Sequence, residues 1–312
     1  MALTATTALT GELLAYLEKR FLMRSRAAIV FGEGAQTQTL AANSGKSMTF
    51  NRYAPLAVAN TPLTEGGGAT FQSNPASVSP TATQVVATLA QYGNVIAVSD
   101  LLFVTSIDRE AKEKTDLAAQ NMAETLDQLI RDELFTGATV QFANSRASLT
   151  TIAATDVLTS TEVRRARRSL RKANAIPYDD GCYLAKVGPD TSFDIVNDSV
   201  WLAASEYSGN YVSQIFNNEI GKLFQVRFQE ATSNQKSEAS TVTVFSNFFH
   251  GQQAFGTVDL DTLPNGLIIK QSGDQDTANP LSLYMTIGWK AAFVAKTLNS
   301  TWLVNVKTAA SA

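Results

Sequence analysis

The chain has 312 residues, of which 45% are hydrophobic and 17% are charged, and its formal net charge at pH 7 is −3. This hydrophobic content supports packed cores and excludes a wholly disordered chain. The slightly acidic balance argues against a dedicated nucleic-acid-binding protein, which usually carries an excess of basic residues. The charged fraction lies below the roughly 25% that is typical of soluble domains, and a surface of this kind suits a chain that packs against copies of itself.

A single cysteine, Cys182, and a single histidine, His250, restrict the available chemistry. One thiol cannot close an intramolecular disulfide, and one residue of each type cannot build a Cys/His zinc site. We interpret Cys182 as an ordinary half-buried thiol and His250 as a packed or loop histidine. The acidic pair in Asp179-Asp180-Gly181 is typical of a turn and lacks EF-hand spacing. The sequence therefore predicts no enzyme, no metal site and no cofactor.

No secretion signal and no membrane span are predicted. The N-terminal residues lack a basic start followed by an apolar run of signal-peptide length. Nowhere do about 18 apolar residues follow one another, as a transmembrane helix would require. We therefore expect synthesis in the cytoplasm.

The first predicted elements are a helix and a strand. Apolar periodicity predicts a short amphipathic helix from Thr10, with Leu13, Leu17 and Phe21 on one face. Alternation of polar and apolar residues then predicts a strand at 46–52. Both are short, and neither carries a recognisable chemical motif.

Residues 54–83 are unusual because they contain four prolines, three consecutive glycines and almost no charge. A loop of this length without its own structure is uncommon in a compact domain and is generally functional or disordered. Two interpretations stay open: a disordered surface excursion, or an extended arm that becomes ordered on a neighbour. No Lys-Ser or Lys-Thr pair follows the glycines, so they do not form a phosphate-binding loop. The candidate inter-subunit contacts in this loop are Glu65, Gly66, Gly67 and Gly68.

A long strand and the longest helix of the chain follow. The strand is predicted at 84–98, with an interruption at 92–94. The helix is predicted at about 105–136 and would be roughly 45 Å long, with charged residues such as Asp127 on its other faces. We expect its apolar row to pack against a sheet built from 84–98 and the C-terminal strands. That row comprises Ile107, Ala111, Ala118, Met122, Leu126, Ile130 and Leu134.

A second, strongly basic helix is predicted to begin at Thr159, with Glu162 completing a capping box, and to end before Pro177. Three interpretations of its basic face stay open. It is a solvated face, a contact with acidic groups of another subunit through arginine–carboxylate pairs, or a contact with phosphates, which the acidity of the whole chain disfavours. Its candidate inter-subunit contacts are Arg164, Arg165, Arg167, Arg168, Arg171 and Lys172.

The remainder of the chain predicts strands at 183–187, 223–229, 241–245, 281–290 and 302–307. Each range is rich in β-branched or aromatic residues, and the last two alternate cleanly between apolar and polar positions. No internal repeat of fixed period is present. The fold class predicted is therefore α+β, with one dominant helix.

A series of short motifs runs along nearly the whole chain and includes Pro62-Leu63-Thr64-Glu65-Gly66, Gln91-Tyr92-Gly93, Asn174-Ala175-Ile176-Pro177, Glu219-Ile220-Gly221 and Ile287-Gly288. In their order and spacing these motifs resemble the major capsid proteins of tailed phages, and in particular the Schitoviridae-type podophage family. Two departures occur: Gly67-Gly68-Ala69-Thr70 replaces a proline-containing turn, and Phe224-Gln225 stands where a glycine is expected before Val226.

The resemblance implies an HK97-like capsid fold, with its parts assigned along the chain. Residues 1–44 correspond to an N-terminal arm and 45–83 to an extended β-hairpin loop. Residues 84–154 correspond to a peripheral domain with a long spine helix, and 155–279 to an axial domain. Residues 280–312 would supply C-terminal strands that return to the peripheral domain.

The function implied is that of a major capsid protein that self-assembles into an icosahedral shell around packaged double-stranded DNA. The partners implied are hexamers and pentamers of the same chain, with scaffolding, decoration and portal proteins. DNA would be enclosed without sequence-specific binding, no membrane would be involved, and assembly would take place in the host cytoplasm. The alternative is another phage structural component, such as a tail-tube or decoration protein. An enzyme is a third hypothesis, for which the sequence offers no catalytic constellation.

Overall fold

The structure is a computed structural model, and it describes most of the chain. The described residues are 16–17, 19–21, 23, 29–54, 56–58, 79–105, 110–202, 219–234, 236–238, 242–260, 266–270, 280–281 and 283–311. The helices used below are α1 Asp100–Thr105, α2 Glu110–Gly137, α3 Ser160–Lys172 and α4 Pro189–Val196. The strands are β1 Gln36–Leu40, β2 Ser47–Tyr53, β3 Ala82–Thr88, β4 Ala90–Ser99, β5 Thr139–Phe142, β6 Tyr183–Val187, β7 Glu219–Leu223, β8 Val226–Glu230, β9 Lys236–Glu238, β10 Thr243–His250, β11 Phe255–Leu260, β12 Gly266–Lys270, β13 Tyr284–Thr297 and β14 Leu303–Thr308.

A five-stranded sheet is organised around the long strand β13. One edge of β13 pairs with β4 over residues 284–293. Its other edge is shared by β12, opposite residues 286–290, and by β11, opposite residues 293–297. The early strand β1 adds to β11 in parallel. Segments that are distant in sequence therefore meet on one strand near the end of the chain.

Helix α2 packs on this sheet through the apolar row that its sequence predicts. Residues Ala118 to Leu134 of the row are buried and share a core with β13. At its edges, Trp289 donates to Asn121 over 3.0 Å and the Thr297 amide donates to Glu133 over 2.9 Å. The packing prediction is confirmed for these residues. Ile107 and the side chain of Ala111 lie outside the described residues.

A seven-stranded sheet has the order β5-β14-β10-β6-β8-β7, with β9 added to the start of β10. Helices α3 and α4 cover one face of this sheet, where Val163, Leu170 and Ile195 join its apolar core. The other face lies towards α2, because Phe248 and Leu303 belong to the core that α2 shares with the five-stranded sheet.

Two strand predictions are corrected by the structure. The strand predicted at 84–98 is two strands, β3 and β4, which are separated at Leu89 rather than at 92–94. The Leu89 amide donates to the Lys46 carbonyl over 2.9 Å, and the Leu89 side chain is buried with Phe50 and Val258. Here β3 leaves to pair with β2, while β4 joins β13.

The strand predicted at 223–229 is a hairpin, in which β7 and β8 are joined by a turn at Phe224 and Gln225. Both turn residues have positive φ, at 51° and 61°. Two-residue turns that match the twist of a hairpin require this conformation, which favours glycine or asparagine. The turn lies at the place where the resemblance leads us to expect a glycine, so the departure changes the residue and keeps a turn.

Candidate functional site

The basic helix α3 is anchored by a narrow apolar stripe. Val163, Ala166 and Leu170 are completely buried against the seven-stranded sheet. Burial of such side chains stabilises the folded chain by about 1.5–3 kcal/mol for each large one. The six basic residues lie at other positions of the helix, so their side chains extend away from the core of the sheet.

The N-terminus of α3 is not closed by the predicted capping box. The Thr159 side chain makes no capping hydrogen bond. The Ser160 amide instead donates to Asp198 over 2.9 Å. Glu162 turns away to accept from the Asn144 amide over 3.0 Å and from Arg165 over 2.8 Å. Burial raises the pKa of Asp198, but its amide donors outweigh that effect and hold the pKa below its ordinary value.

Three arginines of α3 contact the β7–β8 turn. The Arg164 guanidinium lies 5.2 Å from the centre of the Phe224 ring, a cation–π distance. Arg171 donates to Gln225 Oε1 over 2.8 Å, and Arg167 donates to the same oxygen. These contacts hold the strained turn against the helix. A ring and an amide are uncharged, so these contacts add no ion pair, and Arg164 also attracts the nearby Asp198 carboxylate.

We define the basic patch as Arg164, Arg167, Arg168, Arg171 and Lys172. Arg164, Arg168, Arg171 and Lys172 are exposed and Arg167 is half-buried. Among the residues that the structure describes, none of the five forms an ion pair, since the carboxylate of Glu162 pairs with Arg165. The sixth predicted contact residue, Arg165, thus forms an ion pair within the chain, whereas Arg164 of the basic patch helps to lower the pKa of Asp198.

Helix α4 begins at the end of the sheet opposite the β7–β8 turn. It follows the last residue of β6, and β8 ends beside it, because β6 and β8 run in parallel. The β7–β8 turn, by contrast, precedes the first residue of β8. A strand of five residues such as β8 is roughly 17 Å long. This distance separates the turn from the first residue of α4, whereas the residues just after α4 return to α3, where Asp198 accepts from the Ser160 amide.

We define the acidic patch as Asp190, Phe193, Asp194 and Glu230. Phe193 is 61% exposed, an unusual position for a large aromatic ring. Asp194 accepts from the Ser311 amide over 3.1 Å and from the Ser311 hydroxyl, and Glu230 accepts from the Ser192 hydroxyl over 2.7 Å. These are neutral donors, so the negative charges of Asp194 and Glu230 are retained. No local sequence pattern marks this patch, because Glu230 comes from another strand.

The base of the predicted extended loop is a β-hairpin. Strands β2 and β3 pair from Ser47 opposite Thr88 to Tyr53 opposite Ala82. Phe50 and Ala87 anchor the hairpin in a small core. The candidate contacts Glu65, Gly66, Gly67 and Gly68 lie outside the described residues, so their predicted role is carried forward as a proposal.

A buried polar cluster fixes the segment 29–35. Asp127, predicted on a face of the long helix other than the apolar row, is buried under this segment. Its carboxylate accepts from the amides of Val30 and Phe31 over 2.9 and 2.7 Å. Lys186 donates to the Val30 carbonyl over 2.8 Å and to Gln229. Burial raises the pKa of Asp127 and lowers the pKa of Lys186 to about 8.

His250 and Cys182 are placed as packing residues. His250 is completely buried, with Nδ1 2.9 Å from the Tyr178 hydroxyl, and burial lowers its pKa to about 3. It is therefore neutral at physiological pH, as expected for a packed histidine. Cys182 is a free, buried thiol whose pKa is raised by burial, so its reactive thiolate form is disfavoured. The neighbouring turn at Asp179-Asp180-Gly181 is confirmed, with a φ of +73° at Gly181.

The described ranges contain neither a metal-binding cluster nor a membrane-spanning helix. No group of three His, Cys, Asp or Glu side chains there is placed to hold a metal ion. None of the helices described is long and apolar enough to cross a membrane.

The fold defined by these elements is that of a phage capsid subunit, as solved structures of that class match almost the whole chain. The capsid of Ralstonia phage GP4 matches with a TM-score of 0.71 and 11% identity, over 92% of this chain and 91% of that one. The cyanophage Pam1 capsid matches with a TM-score of 0.67 and 16% identity, over 92% of both chains. A virus-like particle from Pyrococcus furiosus matches with a TM-score of 0.53 and 8% identity, over 95% of this chain and 99% of that one.

The predicted α+β, HK97-like capsid fold is therefore confirmed. No protein-family model and no curated protein sequence matches the chain. The finer resemblance to the Schitoviridae-type family stays a prediction.

Proposed function

We propose that this chain is a major capsid protein, which self-assembles into an icosahedral shell around the double-stranded DNA of a tailed phage. The observation that carries the proposal is the coverage of the structural matches. Two phage capsid subunits are matched over 92% of this chain and over at least 91% of their own length. The structural match therefore covers almost the complete subunit rather than a single sheet that unrelated folds could share. This coverage favours a capsid role over a tail-tube or decoration role.

The parts of a capsid subunit can be assigned to the observed sheets. We assign the peripheral domain to the five-stranded sheet with α2 as the spine helix, and the axial domain to the seven-stranded sheet with α3 and α4. The β2–β3 hairpin forms the base of the extended loop. In this assignment β11 and β12 join the peripheral sheet, because both pair with β13. Strand β14 joins the axial sheet, because it pairs with β5 and β10.

The mechanism of such a protein is association. Hexamers and pentamers form when each copy buries surface against its neighbours, and closed symmetry sums many individually modest contacts. Scaffolding, decoration and portal proteins are the further partners of this proposal, and the virion capsid is its location. DNA is enclosed without sequence-specific contacts.

Electron microscopy of the purified, expressed chain tests the proposed function. Closed shells, polyheads or free hexamers are expected after concentration of the protein. Tubes of narrow bore would instead support the tail-tube alternative. A folded chain that stays monomeric at high concentration, and also when it is co-expressed with its scaffolding protein, would contradict the proposal.

The extended loop offers a second test. Its proposed role is to lie across an adjacent subunit, where the new contacts offset the entropy lost on ordering. Deletion of residues 66–80 keeps both strands of the β2–β3 hairpin and should leave a folded monomer that assembles poorly. Protease cleavage near Gly66-Gly67-Gly68 should be fast in unassembled protein and slow in shells. Equal cleavage rates in the two states would contradict a neighbour contact.

A further inference from the structure

Four leucines lie together where β4 ends and β13 begins. Leu101 and Leu102 belong to α1, which follows β4 directly, and Leu281 and Leu283 precede β13. The Asp100 amide donates to the Leu283 carbonyl over 3.0 Å, so the two pairs of leucines are brought to the same end of the five-stranded sheet. We define the leucine tip as these four residues.

The side chains of the leucine tip are all exposed. Leu281 is 76% exposed and Leu101 is 71% exposed, and both Leu102 and Leu283 are also counted among the exposed large hydrophobic residues. A single exposed leucine is ordinary on a protein surface. A group of them at one place is different, because exposed apolar residues that adjoin one another mark a surface used for association.

The chemistry of the leucine tip selects an uncharged partner surface. The sequence ranges 99–102 and 280–284 contain one charged residue, Asp100. Its carboxylate is turned to its own helix, where it accepts from the Leu101 amide over 2.7 Å. A surface of this composition offers nothing to a phosphate or to a charged protein face. The leucine tip of a second copy fits it, because two identical apolar surfaces meet without unpaired charge.

The size of the leucine tip limits the strength of one such contact. Complete burial of one leucine, at about 1.5–3 kcal/mol and 25 cal/mol per Å², corresponds to roughly 60–120 Å². Four partly exposed leucines therefore present roughly 150–300 Å². A stable pair of proteins buries about 800 Å² on each partner. One contact between tips is too small to hold two free copies together, so it acts where other contacts already hold many copies in place.

We propose that the leucine tips of two copies from neighbouring rings pack on each other about a twofold axis and join the rings. The inference rests on the proposed function, since the rings would be capsomers, and it adds the surface through which they meet. A contact between identical patches pairs two copies and is then complete. It cannot continue from copy to copy around a ring of five or six, so it lies between rings.

Substitution of the two most exposed leucines tests the contact. Leu101→Lys with Leu281→Lys places like charges on both sides of the proposed axis. This variant should fold and form capsomers, but its yield of closed shells should fall at least about tenfold, because facing like charges repel. Leu101→Met with Leu281→Met keeps an apolar surface and should give shells within about twofold of the unmodified yield. Size-exclusion chromatography and electron microscopy separate capsomers from shells.

A matched control introduces the same charges away from the leucine tip. Val140 on β5 and Ile176 before β6 are exposed apolar residues that lie beside the other sheet. Val140→Lys with Ile176→Lys makes the same change of net charge and also removes two exposed apolar side chains. It should leave the yield of shells within about twofold of the unmodified chain. Circular dichroism and thermal unfolding of each unassembled variant check that the fold is kept.

A thiol placed at the leucine tip detects the contact directly. Leu281→Cys introduces an exposed thiol, whereas the natural Cys182 is buried. A short bifunctional maleimide should link two copies of this variant in assembled shells and leave free capsomers unlinked. The mass of the linked product identifies it as two copies of the chain.

Three outcomes would overturn the inference. Normal shells from Leu101→Lys, Leu281→Lys would show that the leucine tip lies outside any contact, and they would leave the proposed function intact. A folded variant that forms no capsomers would place the tip within a ring. Shells without linked pairs, or links to a co-expressed scaffolding protein, would assign the tip to another surface. If the unmodified chain forms neither capsomers nor shells, the proposed function itself fails.

Discussion

The two faces of the seven-stranded sheet are both buried, but they are held in different ways. The face covered by α3 and α4, called the apolar face below, carries Ala185, Phe228, Phe249, Val304 and Val306. The face towards α2 and segment 29–35, called the polar face, carries Lys186, Gln229, Ser246, Asn305 and Lys307 among its residues. Adjacent residues of the same strands alternate between them.

The difference is one of directionality. Apolar burial stabilises in proportion to area and does not fix one arrangement. On the polar face, Lys186 bonds the Val30 carbonyl, and Lys307 bonds Ser246 over 2.6 Å while its ammonium lies 3.9 Å from the centre of the Phe135 ring. Such bonds are satisfied in one geometry and are costly when broken. The apolar face therefore supplies stability, and the polar face fixes where α2 and the N-terminal segment lie.

The largest effect is expected on the apolar face. Phe249 is completely buried between Ala185 and Val304. Phe249→Ala should lower the free energy of unfolding by about 3–5 kcal/mol, because the cavity adds to the lost transfer free energy. Urea unfolding of the unassembled chain measures this. Phe193→Ala is the control, since its ring is exposed and its loss should change folding by less than about 0.5 kcal/mol. Equal losses of unfolding free energy in the two variants would contradict the dominant role of the apolar face in stability.

A somewhat smaller effect is expected on the polar face. Lys186→Met keeps the length of the side chain but leaves the Val30 carbonyl and Gln229 without their donor. We expect a loss of about 2–3 kcal/mol, together with faster hydrogen exchange at the amides of Val30 and Phe31. Lys222→Met is the control: its ion pair with Asp180, at 3.7 Å, is partly exposed and should contribute less than about 1 kcal/mol. Unchanged exchange at Val30 would contradict the positioning role of Lys186.

The pH dependence of stability separates the faces further. Burial lowers the pKa of Lys186 and of Lys307 to about 8, below the 10.5 of an exposed lysine. The folded chain therefore binds fewer protons than the unfolded chain between pH 8 and 10.5, and its stability should rise with pH in that window. We expect each lysine to contribute on the order of 2 kcal/mol to this rise between pH 8 and 10. Lys186→Met should remove part of it. A flat profile would contradict the burial of charge on this face.

The smallest effect is expected at Asn305. Its side chain is completely buried on the polar face, and its amide has no hydrogen-bond partner among the described residues. Asn305→Leu keeps a similar shape without the polar atoms, so stability should increase by about 1 kcal/mol. Thermal unfolding beside the unmodified chain measures this. A decrease would show that the amide is satisfied by a bound water, and the polar face would then be more completely bonded than the protein contacts indicate.

Elements with a strong period of their own were predictable from the sequence. Helix α2 shows an apolar row repeated every four residues, and α3 combines an apolar stripe with six basic residues. The separation at Leu89 was not predictable, because apolar residues continue through it without a turn signal. The β7–β8 turn was missed because Phe224 and Gln225 are not turn-forming residues, and contacts from α3 compensate for their strain.

The candidate site was predictable only where its residues are close in sequence. The basic helix concentrates its charge within nine positions and was identified from composition. The acidic patch combines a short helix with Glu230, which comes from another strand, so no local pattern marks it. The burial of Asp127 was not predictable, because the amides that donate to its carboxylate lie 96 and 97 residues away in sequence. Long-range burial of this kind is decided by the tertiary fold.

The position of β13 and β14 has a consequence for synthesis. Strand β13 is the strand to which β4, β11 and β12 all pair, and β14 lies between β5 and β10. Both strands follow all the other described strands in sequence. On the ribosome, neither sheet can close until these two strands have been translated, so the strands that precede them wait for their partners. A chain terminated before β13 lacks the strands that join both sheets.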